Sequence, residues 1–74
     1  MESEAIDHAK LLIEQGRTLL DKGRRDRARR MFAAALQVDP RNIEARLGLA
    51  EASDDLSERM AHIAKALEVD PQNA

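Results

Sequence analysis

His8 and His62 are the two side chains of this chain that could move a proton near neutral pH. Acid–base or nucleophilic catalysis would need a further group within hydrogen-bond reach, held in a pocket. The stretches around them, DHAK and HIAK, contain no such motif. They also lack the paired spacing that sets two zinc ligands on one helical face. There is no cysteine, which removes disulfides and thiolate metal sites. Gly16, Gly23 and Gly48 stand singly, so no glycine-rich loop is present to cradle a phosphate. Gly16 and Gly48 are read as close helix contacts and Gly23 as a turn. The histidines are read as surface or boundary residues. The expectation is a protein that is not an enzyme and uses no cofactor or metal.

The densest charge is basic, in RRDRARR, with Arg24, Arg25, Arg27, Arg29 and Arg30. Clustered arginines can hold phosphates through counterion release. Against that stand the net charge of −2, Asp26 inside the block, and Phe32 as the one aromatic where base stacking would need several. At helical spacing the block is expected to be a solvated face or a protein-contact patch, with Asp or Glu partners nearby. Weak nucleic-acid binding is the disfavoured alternative. Charge is also divided unevenly: residues 1–37 carry eight basic and six acidic side chains, residues 38–74 four and eight. Such a chain could pair with a copy of itself, head-to-tail or antiparallel. Asp54 and Asp55 are read as capping residues at a turn.

The elements that position these residues are marked by a repeated phrase. ALQVDPRN begins at Ala35 and ALEVDPQN at Ala66, 31 residues later. Proline cannot continue a helix and pushes the residue before it out of helical geometry. Asn42 and Asn73 follow where a side-chain oxygen can cap the next helix. Each phrase therefore reads as helix end, tight turn and helix start. Four amphipathic stretches lie between the marks. The first has Ser3 as N-cap and runs to residue 22, with Ala9, Leu12, Ile13, Leu19 and Leu20 at helical spacing and Gly23 just beyond its end. The second covers residues 24–38, with Ala28, Met31, Phe32, Ala35 and Leu36 on one face. The third covers residues 43–52, with Ile43, Leu47 and Ala50 together. The fourth starts near Asp55, where Asp55 and Glu58 could form a capping box, and carries Leu56, Met60, Ile63 and Leu67. Connections of two to four residues make neighbouring helices antiparallel.

Two such hairpins resemble the tetratricopeptide repeat, a helix-turn-helix unit of about 34 residues with the pattern Trp-x2-Leu-Gly-x2-Tyr, Ala-x3-Phe, Pro. With Pro40 as the closing proline, the first unit spans about residues 9–42. Leu12 stands in the Trp place, Gln15 and Gly16 in the Leu-Gly place, and Leu19 in the Tyr place. Gly23 is the inter-helix glycine, and Ala28, Phe32 and Ala35 fill the second helix. The second unit, about residues 43–73, keeps Leu49-Ala50, Ile63, Ala66 and Pro71. It is three residues short around Ser53-Asp54-Asp55, which leaves Leu56 and Met60 to supply core contacts.

The resemblance implies an all-α fold, two stacked hairpins that begin a right-handed solenoid, as a single domain over residues 1–74. It implies a function in protein–protein interaction, as an adaptor or assembly module. By position, the groove for a partner segment would be lined by Lys10, Ile13, Glu14, Arg17, Leu20 and Asp21 from the first unit. Glu44, Leu47, Gly48 and Glu51 would line it from the second. Family members that clamp the carboxylate end of chaperone tails use Lys and Asn. Here Ile13 and Gly48 hold two of those places, so that activity is not expected. Solenoids generally need three repeats and a polar cap. The open end implies that the chain is the N-terminal piece of a longer protein, the favoured expectation, or that self-association into a homodimer covers it. With no cysteine, no membrane-spanning run and no secretory signal, the default location is cytoplasmic.

Overall fold

Three short connections set the course of the chain, which a computed structural model describes over residues 2–69. They separate helices α1 (Glu2–Asp21), α2 (Arg25–Val38), α3 (Ile43–Ala52) and α4 (Leu56–Val69). Gly23 makes the first turn, at φ +76°, a left-handed conformation that costs a residue with a β-carbon about 1–2 kcal/mol. Its N–H donates to the Leu20 carbonyl at 3.0 Å, and the Arg24 N–H donates to the Leu19 carbonyl at 2.9 Å. These two bonds close the end of α1 as a Schellman motif.

At the second connection the Asp39 N–H donates to the Ala35 carbonyl at 2.8 Å, and Pro40 then prevents continuation. Asn42 caps α3 as expected, its Oδ1 accepting from the Ala45 N–H at 2.9 Å. The matching signals at Pro71 and Asn73 lie outside the described residues. At the third connection Ser53 is buried, and its hydroxyl donates to the Leu49 carbonyl at 2.7 Å. Asp55 caps α4 by accepting from the Ser57 N–H at 2.9 Å.

Three local expectations change. The first helix begins at Glu2, so Ser3 lies inside it rather than capping it. Arg24, expected within the second helix, is its N-cap and offers no side-chain hydrogen bond there. Glu58 does not return to Asp55 to complete a capping box, because its carboxylate is held by Arg29 of α2 at 2.8 Å.

α1 packs on α2, α2 on α3 and α3 on α4, and α1 also meets α3. The Cα atoms fill a slab of 35 × 29 × 17 Å, its short dimension fitting two helix layers about 8–10 Å apart. The core joins Ala9 and Ile13 of α1, Ala28, Phe32 and Ala35 of α2, and Ala45, Leu49 and Ala52 of α3. Phe32 is its largest side chain and is fully buried. The ring comes so close to two helices that a β-carbon on Gly16 would stand 2.8 Å from its Cε1, and one on Gly48 2.5 Å. Both glycines are therefore requirements of packing.

α3 lies among three neighbours, and five of its ten residues are buried. Its inward set includes Ala45, Gly48 and Ala52, beyond the single face of Ile43, Leu47 and Ala50 that periodicity suggested. α4 differs most from expectation. Leu56 and Met60 are 66% and 61% exposed and do not supply core contacts. Ile63 and Leu67 are also exposed, and Ala66 is the residue that α4 buries. The reason is geometric: α4 packs on α3, and among the described residues no further helix covers its other side.

Candidate interaction surface

α1 and α3, the first helices of the two hairpins, lie side by side. Arg17 Nη1 and Glu51 Oε2 meet at 2.7 Å and join them. The ten residues assigned to a groove divide into three sets. Lys10, Arg17, Asp21, Glu44 and Glu51 are exposed, and Leu20 and Leu47 are half-buried. Ile13 is 5% exposed and belongs to the core, and Gly48 is pressed against Phe32. Glu14 faces elsewhere: with Leu11, Thr18 and Met31 it lines a cleft of about 440 Å³ on the outer side of the α1–α2 hairpin. A second cleft, of about 400 Å³, lies between α3 and α4 and is lined by Leu47, Ala50, Glu51, Arg59 and Ile63.

The arginine block sits at the start of α2, facing the acidic residues of the second hairpin. Arg25 pairs with Asp54, and Arg29 Nη2 meets Glu58 Oε1 at 2.8 Å. Arg24, Arg27 and Arg30 are exposed. Among the described residues, each of the three long-range ion pairs joins a first-half arginine to a second-half carboxylate. Part of the uneven charge along the sequence is thus neutralised within the chain. All six side chains are substantially exposed, so each pair contributes about 0.2–1 kcal/mol.

Arg29 and Glu58 also line a depression of about 450 Å³ with Asp26, Arg30, Leu49 and His62. Burial pushes the His62 imidazole below its ordinary value, with Arg46 and Arg29 adding to the effect and Glu58 opposing it. His8 is exposed on α1. The two histidines are therefore not brought together. Among the described residues no group of three or more His, Cys, Asp or Glu could hold a metal ion, and no helix is long and apolar enough to cross a membrane.

Sequence reasoning missed Arg59. Its Nη2 donates to the Ser53 carbonyl at 2.9 Å, while its buried Nε has no acceptor among the described residues. The available signal was register, since Arg59 stands 31 residues after the buried Ala28.

Neither a search of curated proteins nor one of solved structures finds a match to the chain. A family model for the tetratricopeptide repeat matches residues 19–58, from the last turn of α1 through α2 and α3 into α4. That span is 40 of 74 residues, and it contains Gly23, Phe32, Pro40 and Gly48, on which the turns and the core depend. With four helices in two hairpins around that core, the chain belongs to the tetratricopeptide repeat family.

Proposed function

We propose that this chain is an interaction module that receives a segment of another protein along the shared surface of α1 and α3. Tetratricopeptide repeats are in general non-enzymatic protein–protein interaction modules. The observation that carries the finer reading is the Arg17–Glu51 pair, which ties equivalent positions of the two helices into one continuous surface. Leu20 and Leu47 flank that pair as half-buried apolar anchors. Lys10 and Arg17 give the α1 side positive charge, and Glu44 and Glu51 give the α3 side negative charge. A partner segment with apolar anchors and charges of both signs fits this arrangement.

Arg25 and Arg29 already have carboxylate partners, which supports a protein-facing reading of the basic block over nucleic-acid binding. The test is selection of binding peptides from a display library, followed by titration against Lys10→Glu and Leu47→Asp. Peptides that bind the unmodified chain should lose most of their affinity for both variants while the helical spectrum is kept. Undiminished binding to both folded variants would place the partner site elsewhere.

A further inference from the structure

The two clefts at the ends of the slab are the two halves of one interface that the chain already makes inside itself. Within the chain, Ile13, Ala28 and Phe32 of the α1–α2 hairpin share a core with α3, and Gly16 lies against the Phe32 ring that α3 also meets. Moving 34 residues on in the first helix of a hairpin and 31 in the second converts these to Leu47, Ala50, Arg59 and Ile63. Those four line the open cleft between α3 and α4. The face that α3 presents inward is formed by Ala45, Gly48, Leu49 and Ala52, all buried. Moving 34 residues back gives Leu11, Glu14, Gln15 and Thr18, which line the cleft on the outer side of α1. Each end of the slab therefore repeats one side of the internal contact and leaves it uncovered among the described residues.

We propose that a second copy of this chain seats its α1 cleft on the α3–α4 cleft of the first, so that copies stack head-to-tail. This goes beyond the groove reading: Leu47 and Glu51 belong to both surfaces, but the end faces add Glu14, Arg59 and Ile63, and the occupant is a second copy of the chain. The substitutions between internal and outer faces are complementary. Inside the chain, Gly48 lets the Phe32 ring approach, and Ala28 lies in the same core. At the ends, Glu14 replaces the glycine, Ile63 replaces the larger phenylalanine, and Arg59 replaces the alanine. A smaller apolar residue makes room for a glutamate, and Arg59, which lines the same cleft, supplies its counter-charge. The Arg17–Glu51 pair points the same way. It joins positions 34 residues apart, so stacking brings Arg17 of the incoming copy beside Glu51 and extends the ladder by one step.

Because the two faces differ, the contact is heterologous and has no reason to stop at two copies. A symmetric homodimer would instead bury the same face twice. Sedimentation equilibrium of the purified chain from micromolar to millimolar concentration should show an average mass that rises past two protomers and falls again in high salt. Glu14→Arg kills one face and Arg59→Glu the other, so each variant alone should associate about tenfold more weakly or worse. Mixed together, they offer Glu14 against Arg59 at one contact and a swapped pair of opposite charges at the next, so association past two protomers should return in the mixture. Glu14 is exposed, so its variant should fold. If circular dichroism shows that Arg59→Glu unfolds, Ile63→Asp at an exposed position on the same face takes its place in the mixture. A chain that stays monomeric throughout would leave these faces to other proteins and overturn the proposal. A mass that stops at two, or a mixture that remains monomeric, would overturn it as well.

Discussion

Phe32 on α2 and Gly48 on α3 meet so closely that the glycine's missing β-carbon would lie within 2.5–2.6 Å of three ring carbons. Real carbon atoms do not approach to that distance, so even an alanine at residue 48 must displace the ring or the helix. The same ring edge faces Gly16 of α1, with the equivalent distances at 2.8–3.1 Å. One aromatic side chain thus sets the spacing of three helices.

This contact decides the sign of a common substitution. Glycine to alanine in a helix interior usually gains about 0.5–1 kcal/mol through lower chain entropy. At residue 48 overpacking against Phe32 costs about 1–3 kcal/mol and outweighs that gain. Gly48→Ala should therefore lower the midpoint of thermal or urea unfolding, whereas a helix-propensity argument expects a rise. Because a domain this small draws only about 3–5 kcal/mol from its core, the loss should be easy to measure.

His62 gives stability a dependence on pH. Its folded-state value lies below the ordinary 6.5 because burial and the nearby Arg46 and Arg29 disfavour the charged ring, while Glu58 only partly compensates. The unfolded chain then takes up the proton first as pH falls. Stability from this group is full above about pH 6.5 and is lost as pH falls through the lower folded value. Unfolding followed between pH 8 and about pH 5 should show this decline, and His62→Gln should flatten it. An unchanged slope in the variant would mean that His62 does not contribute.

The turns were legible because their chemistry is local. Gly23 beyond a helix end, Val-Asp-Pro, and Asn42 before an apolar run each act within a few residues, and the structure places all three as expected. Periodicity and the Asn42 cap also placed α3 at about residues 43–52, where it lies. What could not be seen locally was which apolar face would find a neighbour. Leu56, Met60 and Ile63 have the spacing of a core face, and their exposure follows from the order of packing, which leaves α4 at the edge. Small residues carry little hydrophobic signal, so Ala45 and Ala52 entered the core unannounced. The groove residues were placed by position within a repeat, a coarser guide than side-chain direction. Ile13 and Gly48 accordingly turned out to be buried, while Glu14 lines an end face.

The most direct test of the central claim, that two hairpins close on one ring, uses the fact that Phe32 is the chain's sole Phe, Tyr or Trp. Its ring protons can be assigned without ambiguity in a proton nuclear Overhauser spectrum of the protein in solution. Cross-peaks to the α-protons of both Gly16 and Gly48, with those α-protons shifted by the ring current, are expected. A folded, helical protein in which the ring shows no cross-peak to Gly48 would contradict the packing of α3 on the first hairpin and everything built on it.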